Sequence, residues 1–153
     1  MASLWDSPLS LYSIPAAWLL AYIPQVIKVN LLKQVGGYNN LEPRQNIAKL
    51  GSKPGVEDKL KAKIARAEGT HNNGLESFPL FAVSVLVANH AGLAQSSINR
   101  TAALYLASRV LYSYIYIQQN RPWHGSTRTL VWLVGVGSSI SLLIRGANLV
   151  HGA

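Results

Sequence analysis

Residues 127–150 read TRTLVWLVGVGSSISLLIRGANLV, and the only charges in that stretch are Arg128 and Arg145, one towards each end. The hydrocarbon core of a bilayer takes about 20 apolar residues at roughly 1.5 Å of rise each, so this stretch is long enough to cross it as a helix. Arg145 is near enough to its end to snorkel to the interface. Gly135, Gly137 and Ser138 form a seam of small residues of the kind that lets membrane helices approach closely.

Three further segments compete for the bilayer. Residues 98–119 form one, and 57–91 another, whose charged lead-in begins in water and enters the membrane near Asn73. Gly74 and Pro79 weaken that helix locally. The remaining span, 9–32, carries Pro15 and Pro24, which remove backbone donors and predict kinks that neighbouring helices must accommodate. It stops after Lys33 at Gly36-Gly37, which leaves 38–55 as a loop with Pro43 and Pro54. A short turn at 92–97 and the loop 120–125, with Trp123 as an interfacial anchor, complete the connections. The expected fold is all-α: one membrane domain over 1–153, a four-transmembrane-helix up-down bundle with helices at about 9–32, 57–91, 98–119 and 127–150.

Composition agrees with the lipid bilayer as solvent. Half of the chain is apolar and 13% is charged, about half the share of a soluble domain, so too few charges exist to cover a water-facing surface. The net charge of +8 does not indicate nucleic acid, because the bases crowd one stretch between apolar segments rather than lying on a recognition element among aromatics. That stretch, with Lys49, Lys53, Lys59, Lys61, Lys63 and Arg66, reads as a cytosolic membrane flank. With Arg121 in the third loop, it places the first and third loops in the cytosol and both termini on the other side. The first apolar run is too long for a cleaved signal segment and is read as a retained span. No cysteine is present, which excludes disulfides, zinc–thiolate sites and a protein thiol nucleophile. The four histidines have no metal-ligand spacing, so no metal is expected.

Charged groups within a span cost about 2.5–3.5 kcal/mol on insertion scales and mark function when they persist. On the third span Arg109, Tyr112 and Tyr116 share one helical face, extended by Tyr105. An arginine fork among phenols suits a carboxylate or an anionic sulfur; the plainer reading is an interfacial tyrosine belt with a snorkelling arginine. Tyr114 points elsewhere, as a lipid-facing or interfacial residue. On the second span Arg66, Asn73 and Glu76 share a face, and Glu76 needs a cation, either a ligand ammonium group or Arg109 as a structural staple. Arg128, one turn inside the fourth span, either reaches the headgroups or stabilises a bound thiolate by direct charge.

The run Arg66-Ala67 … His71-Asn72-Asn73-Gly74-Leu75-Glu76-Ser77-Phe78-Pro79 resembles the second-helix signature of the MAPEG family, membrane-associated proteins of eicosanoid and glutathione metabolism. Arg109, Tyr112 and Tyr116 match that family's Arg-x-x-Tyr-x-x-x-Tyr spacing, and Arg128 matches its thiol-activating arginine. The resemblance implies a homotrimer in the endoplasmic reticulum membrane, with glutathione as co-substrate bound between subunits on the cytosolic side. It also implies a lipophilic small-molecule electrophile entering from the membrane. Arg66, Asn73, Glu76, Arg109, Tyr112 and Tyr116 would then bind glutathione, with Arg128 and Tyr116 catalytic in a transferase that also has scope for peroxidase chemistry. Gly69 stands where many members carry an arginine. The family includes a non-catalytic lipid-binding member, so a membrane scaffold is the alternative.

Overall fold

The computed structural model describes residues 4–152, so the expected domain limits at 1 and 153 lie outside it. The described residues are helical, without strands: α1 (Ser13–Gln34), α2 (Asn46–Gly51), α3 (Asp58–His90), α4 (Gln95–Gln118) and α5 (Pro122–His151). The four long helices fall on the four expected segments. Their directions alternate, as contacts at the two ends show. At one end Ser10, just before α1, donates to Asn89 near the end of α3 at 3.1 Å, and Gln95 opening α4 donates to the same Asn89 at 2.9 Å. Arg145 in the last turns of α5 binds Ser97 there. At the other end Lys28 pairs with Glu68 across 3.3 Å, Arg66 donates to the Ile117 carbonyl and Arg128 to Gln119.

Local chemistry sets the boundaries. Gly36 closes α1 at φ +59, a left-handed conformation that glycine adopts without a Cβ penalty, and the Gly37 amide donates back to the Leu32 carbonyl at 2.8 Å. The ladder of α1 continues through Pro24, and His71 from α3 bonds the Ala21 carbonyl at 2.8 Å, one turn before the proline. The carbonyl that Pro24 leaves without its ladder donor is that of Leu20, so the His71 bond, one residue on, ties α3 to α1 beside the break rather than replacing the lost bond. Gly74 lets α3 close on α1: a Cβ there would stand 2.8 Å from the Ala21 Cβ and 3.1 Å from its Cα. Its small size is therefore a packing requirement as well as a weakness of the helix.

The ends of α1, α3 and α4 shift by one to four residues from the expected spans, and two larger differences appear. The first loop holds the short α2, whose Leu50 is buried with Leu32 and Ile64, so an apolar residue of that loop tethers it to the helices. In the same loop Lys49 binds Glu42 and holds that exposed carboxyl below the usual carboxylate range. The second difference is that α5 begins at Pro122, five residues earlier than the sequence reading, because proline's fixed φ and missing donor suit the first helical position. Arg128 consequently lies nearly two turns inside α5.

Polar side chains are buried beside the apolar core while much of the outer surface is apolar. Ser84, Asn99, Ser108, Arg109, Ser138 and Ser139 are buried, whereas Leu19, Val26, Val110, Leu130 and Ile144 are more than half exposed. Such broad apolar exposure is unfavourable in water and expected against lipid. Tyr114 is 67% exposed, as its outward reading anticipated. Among the described residues two helices are long and apolar enough to cross a membrane, Ser10–Gln34 at mean hydropathy 1.3 and Pro122–His151 at 1.6. The helices α3 and α4 fall short of that measure because they bury polar side chains such as Thr70, His71, Asn99 and Arg109 against their neighbours.

Candidate functional site

Arg109 organises the interior. It is 5% exposed, and its Nη1 donates to Asn73 Oδ1 and Ser77 Oγ of α3, each at 3.1 Å. Asn73 and Ser77 are four residues apart, one helical turn, so a single guanidinium reaches both. The Tyr105 and Tyr112 rings lie 5.4 and 5.0 Å from its Cζ, close enough for cation–π attraction. Room comes from α5: a Cβ on Gly135 would stand 2.8 Å from Arg109 Nη2 and equally close to Ser108 Oγ. Nε and Nη2 of Arg109 are buried with no hydrogen-bond partner among the described residues. A buried guanidinium with spare N–H groups is a donor site that an acceptor would satisfy.

One turn further along α4, the Tyr116 ring meets Tyr112 edge-on at 5.6 Å and carries the Arg128 guanidinium 4.2 Å above it. Arg128 Nη1 also donates to Gln119 Oε1 at 3.2 Å, so Tyr116 of α4 and Gln119, just past its end, fix a side chain of α5. Arg128 lines a cavity of about 130 Å³ with Asn73, Tyr112, Thr129 and Trp132. It also lines a more open one of about 300 Å³ with Arg66, Gln119 and Arg121. A small-molecule site typically needs about 300–1,000 Å³. The two chambers share Arg128, which puts its positive charge where an anionic ligand bridging them would lie.

Of the residues singled out from the sequence, Asn73, Arg109, Tyr112, Tyr116 and Arg128 form one connected cluster. Arg66 lies at the wider chamber and donates its Nε to the Ile117 carbonyl at 3.2 Å. Glu76 differs: it is exposed on α3 and does not staple Arg109, whose hydrogen bonds go to Asn73 and Ser77. It remains within electrostatic range of Tyr112, as does Arg128. Gly69 also acquires a role, because a Cβ there would sit 2.8 Å from the Tyr116 hydroxyl. The phenol occupies the space a longer side chain at that position would need.

Ser77, Gln119, Thr129 and Trp132 were not identified from the sequence. Trp132 is four residues after Arg128, and that spacing alone could have flagged it. Gln119 ends α4 and meets Arg128 only through the tertiary fold. Conversely, Gly137 faces open space and takes no part in the helix contact, which Gly135, Ser138 and Ser139 make instead.

Comparison with curated proteins and with solved structures gives no match. A family model described as MAPEG family matches residues 10–148. That span takes in the long helices almost entirely and every residue of the Arg109–Arg128 cluster, and the chain belongs to the MAPEG family.

Proposed function

We propose that this protein is a glutathione-dependent transferase of the endoplasmic reticulum membrane. In this reading four helices span the bilayer, three copies assemble, and the first and third loops face the cytosol. One observation carries it: the Arg128 guanidinium is held over the Tyr116 ring and by Gln119 at the junction of two polar cavities. A fixed cation of this kind lowers the pKa of a thiol placed beside it. The glutathione thiol gives its proton to solvent, and the sulfur lone pair then attacks an electrophilic carbon. A C–S bond forms, and the displaced electron pair leaves with the departing group or is protonated on the acceptor. Asn73 and Arg66 present donors for the peptide's carboxylates and carbonyls, and Arg109, enclosed behind them, fixes the Asn73 amide through its own hydrogen bond. Glu76, lacking an ion pair among the described residues, is suited to the glutathione ammonium group at a boundary between copies.

Glutathione added to the detergent-purified oligomer should raise its thermal midpoint. Stabilisation of about 2.7 kcal/mol is expected when the ligand stands at about 100 times its Kd. No shift at saturating glutathione contradicts the proposal and favours a lipid-binding scaffold. Gly69→Ala separates stability from binding. Alanine gains about 1 kcal/mol of helix propensity, so the midpoint should hold or rise. Glutathione affinity should fall by about fivefold as Tyr116 is displaced from beneath Arg128, the equivalent of one cation–π contact. Undiminished affinity would show that Tyr116 does not hold Arg128.

A further inference from the structure

An apolar groove of about 280 Å³ runs between α1 and α4, away from the Asn73–Arg128 cavity. Leu20, Ile23 and Ile27 form one wall, Val110 and Tyr114 the other, and Lys63 of α3 stands at one end. The wall from 110 to 118 is about 12 Å long at 1.5 Å per residue, the scale of part of an acyl chain. Ile23, Val110 and Tyr114 are each more than half exposed, so the groove opens outward.

We infer that this groove holds an acyl chain of an anionic phospholipid, with its phosphate on the Lys63 ammonium. The assignment rests on charge. Lys28 is paired with Glu68, and Lys61 with Gly51 and Asp58, but Lys63 has no hydrogen bond or ion pair among the described residues. It lies in the basic flank with Lys59 and Lys61, at headgroup level rather than within the apolar run. Arg109 also lines the groove, but its unpartnered Nε and Nη2 are enclosed and face Gly135 of α5, so it cannot anchor an anion entering from the lipid side. A second copy of the chain is a poorer occupant. Of its six acidic residues, Glu42, Asp58 and Glu68 are already engaged by lysines, Asp6 lies at the opposite end of the helices, and Glu76 stands about 20 Å further along α3 than Lys63 at 1.5 Å per residue, which leaves Glu57 alone at that end. This lipid site goes beyond the transferase reading and does not depend on glutathione.

Native mass spectrometry tests it on the full chain in mild detergent, equilibrated with equal amounts of phosphatidylserine, phosphatidylcholine and oleate. The wild type should retain phosphatidylserine preferentially. Lys63→Gln should weaken that retention by about fivefold, the effect of one lysine near an anionic headgroup, and leave phosphatidylcholine unchanged. Val110→Trp, which fills the groove from an exposed position, should remove both lipids. Equal retention of the two phospholipids, an unaltered Lys63→Gln variant, or full phosphatidylserine retention by Val110→Trp overturns the site. Oleate displacing phosphatidylserine overturns the phospholipid assignment in favour of a fatty carboxylate.

Discussion

Arg128→Leu is expected to abolish the glutathione thiolate signal and to lower kcat/KM for conjugation by about 10²–10³-fold, the usual cost of removing one charge-stabilising group from a reacting centre. The mechanism is electrostatic. A free thiol titrates near 8.5 and is only a few per cent ionised at neutral pH, whereas a neighbouring cation brings thiols to about 3.5–7.5. Leucine keeps apolar contact with the Tyr116 ring but removes the charge and the donor to Gln119. Gln119 is half-buried at the end of α4, so water can replace that donor and the oligomer should remain assembled. Absorbance of the thiolate near neutral pH, read beside size-exclusion chromatography, checks both halves. A variant that assembles and still forms the thiolate moves sulfur activation to another residue.

The second large effect is on stability. Gly74→Leu should lower the thermal midpoint by about 10 °C, corresponding to about 3 kcal/mol, the upper end of ordinary overpacking costs. The Cβ alone would press on the Ala21 Cα and Cβ. Backbone cannot rotate away as a side chain does, so α1 and α3 must separate. Separation would also strain the His71 bond to the Ala21 carbonyl and move Asn73, one residue from the substitution. Thermal unfolding in detergent, with Arg109 binding to Asn73 as the affected contact, is the direct measurement. A midpoint unchanged from wild type would mean that the close approach of α1 and α3 is not a constraint.

Much of this architecture was legible because lipid imposes long apolar periods. Residues 9–32, 57–91, 98–119 and 127–150 stood out by length, and the helices lie where those lengths put them. The start of α5 was misplaced because Asn120-Arg121-Pro122 reads as a turn, although Pro122 also fits the first position of a helix. Helix α2 escaped notice since six residues leave no measurable period.

The cluster was legible only within each helix. Spacing put Asn73 with Glu76 and Arg109 with Tyr112 and Tyr116, but it could not say which faces meet. The structure joins Arg109 to Asn73 and Ser77 and leaves Glu76 outside, a choice set by how α3 and α4 pack. Gly69 shows the same limit. A missing side chain carries no message until the Tyr116 hydroxyl is found beside it.

The central claim is that Arg128, fixed by Tyr116 and Gln119, presents its charge to a thiol. A pH titration of thiolate absorbance, with glutathione bound to the wild-type oligomer, tests it most directly. A midpoint well below the free-thiol value of about 8.5 is the expected result. Bound glutathione that ionises at the free-thiol value would contradict the account.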